Sequence, residues 1–323
     1  MLSRTAQGLF WMSRYIERAE NVGRLLDAGC RIEALPGSPD ERNTEWSSIV
    51  IASGAKATFP HPLEEADQQT VAHHLIFDRS NPSSILSCME AARENARAVR
   101  IAITGEVWVV LNTSWSEMRM MSPDAIQGGH FAGFLEWVKI RGAQFRGAMD
   151  ASMLRGDGYQ FIELGKCIER ADATARLLDV KYNVLLSDAS EVGRALDTMQ
   201  WQQILRAANS LRAYRSVYHR SVTPVGVVDF LVLNPTSPRS LLRCAMEMVE
   251  AVECIGAILP KQSQVLIRTQ RLRDELREFS VEEIMNQGLH EWLTETIVET
   301  NMIAGAISAA YGFDRPVELS EST

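Results

Sequence analysis

Apolar residues recur at steps of three and four along most of this chain. In the first segment Leu9, Met12, Ile16, Ala19, Gly23 and Leu26 fall on one stripe, the spacing of an α-helix with a buried face. Phe131 to Leu154 reads as a long helix, and Gly156-Asp157-Gly158 as the turn into another. Gln262 to Glu278 is a charged helix, with Val281 to Tyr311 following it. Strand signals are weak: Val107 to Leu111 and Val225 to Leu233 are short β-branched patches, the second extended near its prolines, and neither builds a sheet. Turn chemistry gathers at Leu35 to Asp40 and Phe59 to Pro62. Asp78 to Pro82 and Asn234 to Pro238 read as turns into helices whose first turn accepts proline. The expected fold is all-α.

Part of the pattern is stated twice. Ile16 to Asp27 (IERAENVGRLLD) and Ile168 to Asp179 (IERADATARLLD) agree at eight of twelve positions, 152 residues apart. Trp46 answers Trp201 at an offset of 155, and Pro82 and Ser84 answer Pro238 and Ser240 at 156. Repetition at so long a spacing predicts a duplicated unit, not a solenoid of short modules. The expectation is an internally duplicated helical bundle with pseudo-two-fold halves. Its parts are a first half (1–121), a joining loop and long connecting helix (122–158), a second half (159–315) and a frayed tail (316–323).

Composition narrows the class without choosing an activity. The 323 residues are 46% hydrophobic and 23% charged, ordinary for a folded protein with a large core. A net charge of −8 disfavours a general nucleic-acid binder, because phosphate neutralisation needs a concentrated basic surface. Five cysteines without CxxC spacing read as free buried thiols. No apolar run spans a bilayer, and arginines at 4, 14 and 18 interrupt anything resembling a signal peptide. The expectation is a cytoplasmic protein without a membrane or nucleic-acid partner.

The repeated helices hold the candidate chemistry. On a helical wheel Arg14, Glu17, Asn21 and Arg24 form one polar ridge. Arg18 instead projects into the apolar arc, between Trp11, Tyr15, Val22 and Leu25. A guanidinium there must reach solvent or find a carboxylate, since an unpaired buried charge costs several kcal/mol. Arg170 takes the same place in the second helix, beside Glu163, Cys167, Thr174 and Leu177, and these more polar neighbours predict a wetter site. Halves packed about a pseudo-two-fold axis would set Arg18 on Glu169 and Arg170 on Glu17. A carboxylate beside a guanidinium has a lowered pKa, suited to charge stabilisation more than to proton donation.

A second cluster, Arg93, Glu94, Asn95 and Arg97, lies in AARENARAVR with Arg100. Its counterpart keeps an acid, Glu250, but has Val249, Glu253 and Gly256 where the arginines stand. It reads either as a solvated face with intrahelical salt bridges or as an anion-facing surface. No Glu-x-x-His pair, HExxH, Walker loop, GxGxxG or GxSxG occurs, so no metal or cofactor is expected and no nucleophile is recognisable.

The stretches Leu2 to Asp27, Ala92 to Arg100, Phe161 to Tyr182 and Leu233 to Leu241 resemble the bacterial alpha-E proteins, an all-helical family named for its ER motif. The resemblance covers essentially the whole chain. It maps the ER pairs onto Glu17-Arg18 and Glu169-Arg170, and the family's middle motif onto Arg93-Glu94-Asn95. It implies genomic neighbours of the circularly permuted ATP-grasp and transglutaminase-like kinds. The function it implies is an accessory or substrate-holding subunit of an ATP-grasp-dependent system that forms amide or peptide bonds. Two other readings stay open: an enzyme using a Glu/Arg site in the bundle, and a structural oligomerisation module that assembles as a homo-oligomer. Candidate contacts for a partner, or for an anionic peptide or amino-acid ligand, are Arg14, Glu17, Arg18, Asn21, Arg24, Arg93, Glu94, Asn95, Arg97, Glu163, Glu169, Arg170 and Arg176.

Overall fold

The computed structural model describes residues 1–35, 42–126, 128–185, 195–256 and 260–313, and within them the chain is all-α, with helices and no strand. The turn after Leu35 and the tail from Pro316, both expected from sequence, lie outside these residues. The chain begins with α1 (Ser3–Glu33), α2 (Arg42–Ala52), α3 (Gln68–Ile76), α4 (Ile85–Ala98) and α5 (Gly105–Met120). α6 (His130–Ser152) leads into α7 (Asp157–Leu185). Then come α8 (Ala195–Ala207), α9 (Leu211–Tyr218), α10 (Pro224–Val228), α11 (Leu241–Ile255), α12 (Pro260–Glu278), α13 (Val281–Gln287) and α14 (Leu289–Tyr311).

The two ER helices, α1 and α7, form the central pair. α1 is also packed by α4, α6, α8 and α2, and α7 by α11, α14 and α2. Neighbours on so many sides bury the polar ridge of α1 together with its apolar stripe, so Arg14, Glu17, Asn21 and Arg24 are all buried. Their close approach depends on Gly165. A Cβ there would lie 2.4 Å from the carbonyl oxygen of Phe10, a backbone atom that cannot swing aside.

The turns before α4 and α11 are built alike. Asp78 Oδ1 accepts from the Ser80 amide and Asn81 Oδ1 from the Ser83 amide, while Asn234 Oδ1 accepts from the amides of Thr236 and Ser237. Ser84 and Ser240 then cap their helices by accepting from the amides of Ser87 and Arg243. The prolines expected in the first helical turn stand instead two residues before each cap, where they fix the entry of the chain without disturbing the helix amides.

Three other expectations change. Val107 to Leu111 lies inside α5, and Val225 to Leu233 is α10 followed by a π-helical turn, Asp229–Leu233. Thr223 caps α10 ahead of Pro224, a helix-start arrangement that outweighs β-branched propensity. The final segment is broken at Gly288, whose φ of +101° separates α13 from α14. Cys88, Cys167 and Cys244 are buried free thiols as expected, but Cys30 is only partly buried and Cys254 is exposed.

Candidate functional site: a buried arginine–carboxylate seam

Between α1 and α7 the ER residues exchange partners. Arg18 donates from Nε to Glu169 Oε1 at 2.6 Å and from Nη2 to Oε2 at 3.0 Å. Arg170 makes the same fork on Glu17, at 2.8 and 3.0 Å. Such bidentate guanidinium–carboxylate contacts are among the stronger and more directional hydrogen bonds in proteins. Glu169 also accepts from Arg14 Nε at 2.9 Å. Asn21 donates to the Glu169 carbonyl at 3.4 Å.

Around Glu17 the seam closes into a ring with Glu20. Arg146, from α6, donates to Glu17 at 3.2 Å and to Glu20 at 2.6 Å. Arg239, from the turn before α11, reaches Glu20 at 2.6 Å, Asn21 at 3.3 Å and Glu17 at 3.4 Å. Arg24 donates to Glu20 at 3.0 and 2.7 Å and to the Ala207 carbonyl at 2.7 Å. The void left here is only about 10 Å³.

The Glu169 side is open. A cavity of about 220 Å³ is lined by Arg14, Arg18 and Arg176 among others, with Ser53, Ser83 and Asn301 at its walls. Arg176 forks onto Asp172 at 2.6 and 3.2 Å, and Asn301 donates to Asp172 at 3.4 Å. Arg18 Nη1 reaches Ser83 Oγ at 3.5 Å and Arg176 Nη1 reaches the Ala52 carbonyl at 3.4 Å, both at the limit of hydrogen bonding. The terminal nitrogens of Arg14 have no hydrogen-bond partner among the described residues. Its guanidinium lies 4.8 Å from the Trp11 ring centre.

The wetter second site expected from the helical wheel is reversed. The Arg170 side chain is 8% exposed and that of Arg18 24%. The wheel compares neighbours on one helix, whereas the turn that supplies Pro238 and Arg239 covers Arg170 from elsewhere in the chain.

Electrostatics follow the geometry. Burial alone would raise the Glu169 pKa, but Arg18 and Arg14 more than offset it and hold the carboxyl at about 2. Burial likewise opposes ionisation of Glu17, and Arg170, Arg239 and Arg146 pull its pKa well below the usual range. Burial and then Arg24 draw the Arg239 guanidinium down to about 9, still charged at neutral pH. Cys88, near Arg18, and Cys244, near Arg170, are pushed up to about 12 by burial and stay protonated. The carboxylates of the seam are therefore charge-balancing groups, poor proton donors at neutral pH.

Of the expected site residues, Arg14, Glu17, Arg18, Asn21, Arg24, Glu169, Arg170 and Arg176 meet in this seam. Arg93, Glu94, Asn95 and Arg97 do not touch it. Arg93 bonds Asn112 at 3.0 Å and Glu94 at 2.6 Å, Arg97 lies 3.8 Å from Glu94, and Asn95 donates to the Ala91 carbonyl at 2.8 Å. Glu163 belongs to a third cluster, in which ligand atoms of Glu163, Cys167 and Glu247 lie within 4.8 Å of one another. Lys166 Nζ contacts both carboxylates there, at 2.5 and 3.3 Å, so an ammonium already supplies the positive charge. Sequence reasoning did not single out Glu20, Ser83, Arg146, Asp172, Arg239 or Asn301. The i,i+4 spacing of Glu20–Arg24 and Asp172–Arg176 is a signal that identifies two of them.

Fold and seam together define an all-helical protein organised around paired ER helices, and no helix among the described residues is long and apolar enough to cross a membrane. The chain belongs to the Alpha-E family, described as a predicted alpha-helical domain with a conserved ER motif, which matches residues 1–311. It is 25% identical over 322 residues to an uncharacterised protein of Mycobacterium bovis, and 24% identical to one of Mycobacterium tuberculosis. Each alignment covers 91% of this chain, which spans 35% of the length of these relatives. No solved structure matches the chain.

Proposed function

We propose that this protein is a substrate-holding subunit that keeps a small anionic group in place for a separate catalytic protein, an ATP-grasp enzyme that forms amide or peptide bonds. The observation that carries the reading is the charge of the seam. Arg14, Arg18, Arg24, Arg146, Arg170, Arg176 and Arg239 surround four carboxylates, Glu17, Glu20, Glu169 and Asp172, and three of these arginines with two of the carboxylates, Glu169 and Asp172, line the 220 Å³ cavity. Three guanidinium groups facing two carboxylates at the cavity leave positive charge in excess there, favourable to an added anion. The cavity is smaller than the roughly 300–1,000 Å³ of drug-sized sites. It suits one charged head group, with the rest of the ligand outside.

The depressed pKa values of Glu17 and Glu169 weigh against the seam as an acid–base centre, which favours holding over catalysis. The ATP-grasp partner, with a transglutaminase-like protein beside it, is what the family resemblance implies. The greater length of the mycobacterial relatives agrees with a helical part that works beside further protein. The test is co-purification with the neighbouring ATP-grasp protein, then ATP-dependent amide formation with and without this chain. Equal rates in the two reactions would end the accessory reading.

A further inference from the structure

The seam has two cavities at corresponding places, one open and one nearly closed. Leu25, Ser53 and Arg176 line the open one, while Leu177, Ala208 and Arg24 line the closed one, at sequence offsets of 152, 155 and 152. Their contacts correspond as well. Arg176 Nη1 points at the Ala52 carbonyl and Arg24 Nη1 at the Ala207 carbonyl, again 155 apart. Ser83, just before the Ser84 cap, matches Arg239, just before the Ser240 cap. Arg239 drives its guanidinium onto Glu17, Glu20 and Asn21, leaving about 10 Å³. Ser83 ends in a hydroxyl 3.5 Å from Arg18 Nη1 and leaves about 220 Å³.

The lining sets the sign of the missing occupant. The carboxylates are already engaged: Glu169 takes three bonds from Arg14 and Arg18, and Asp172 takes bonds from Arg176 and Asn301. The unused capacity is in donors: both terminal nitrogens of Arg14, with Arg18 Nη1 and Arg176 Nη1 held only at 3.5 and 3.4 Å. A second cation would meet three arginines. An oxyanion would complete all three guanidinium groups.

We infer that the cavity beside Glu169 is a ligand site, that it takes the oxyanion head of a small ligand, carboxylate or phosphate, and that Ser83 keeps it open where Arg239 plugs its counterpart. This rests on the substrate-holding reading and specifies where the ligand sits and which residue admits it.

The experiment is calorimetric titration of the full chain at low ionic strength with three separate probes: inorganic phosphate, glutarate and, as cationic comparator, ethylguanidinium. Expected is saturable binding of one anion per chain, the better of the two anions identifying the head group. Ser83→Arg, which rebuilds the plug, should weaken it by roughly tenfold or more while the melting temperature is kept. Ser83→Gln, bulky but neutral, serves if the arginine variant does not fold and should also weaken binding. Anion binding unchanged in a folded Ser83 variant would overturn the location and leave the holding reading standing. Preference for ethylguanidinium would overturn the sign of the ligand. Absence of saturable binding to either anion would overturn the holding reading as well.

Discussion

Arg170 reaches across from α7 to fork both oxygens of Glu17, at 2.8 and 3.0 Å, with the Glu17 side chain only 2% exposed. Glu17 is also a shared acceptor for Arg146 and Arg239. Its removal leaves guanidinium groups buried against one another with too little negative charge between them. Glu17→Ala is expected to destabilise by about 3–5 kcal/mol, the cost of breaking a buried pair from one side. Arg18→Ala should cost less, about 1.5–3 kcal/mol, because Arg14 remains on Glu169. Chemical denaturation of both variants checks the order, and a larger loss for Arg18→Ala would contradict this account of the seam.

Gly165 makes a separate prediction. With the Phe10 carbonyl oxygen 2.4 Å from where a Cβ would stand, alanine forces α1 and α7 apart. Overpacking of this kind typically costs about 1–3 kcal/mol, and here it also lengthens the exchanged ion pairs. Gly165→Ala should lower the melting temperature although alanine has the better helix propensity. A neutral or stabilised variant would mean that the helix pair has room to spare.

Acid should loosen the seam. The Glu169 pKa is depressed from 4.5 to about 2, so the folded state binds its proton less readily than the unfolded chain. Its contribution is fully present above pH 4.5 and is lost as pH falls toward 2; Glu17, depressed for the same reason, acts in the same direction. Stability measured by urea denaturation from pH 7 down to pH 3 should therefore decline most steeply below about pH 4.5, and Glu169→Gln should flatten part of that slope. A profile unchanged by the substitution would place the acid sensitivity elsewhere.

These pairings show how far the sequence could be read. Helical periodicity reveals α1, α6 and α7, and the misplaced Arg18 and Arg170 announce buried partners because no cheap alternative exists for a guanidinium in an apolar arc. The repeated ER segment identifies those partners. Arg146 carries no comparable signal: it is one arginine on a helix of mixed composition, and only the packing of α6 on α1 turns it toward Glu20. Arg239 stands within the recognised turn, but a side chain's reach from a turn into a seam is a matter of tertiary geometry. The same limit explains the inverted exposure of Arg18 and Arg170.

Arg176 and Arg97 separate the cavity from the Arg93 cluster. Arg176 forks onto Asp172 and lines the open cavity, whereas the Arg97 side chain is 69% exposed and 3.8 Å from Glu94. Arg176→Lys keeps the charge but loses the planar fork, so one ammonium cannot hold Asp172 and also turn a donor toward a ligand. Anion affinity should fall by roughly tenfold, about 1.4 kcal/mol, with the fold retained. Arg97→Ala should leave affinity unchanged and stability within about 0.5 kcal/mol, as for ordinary surface substitutions. Titration of both variants with the better anion tests the contrast, and a loss confined to Arg97→Ala would move the ligand from the ER seam to the face of α4.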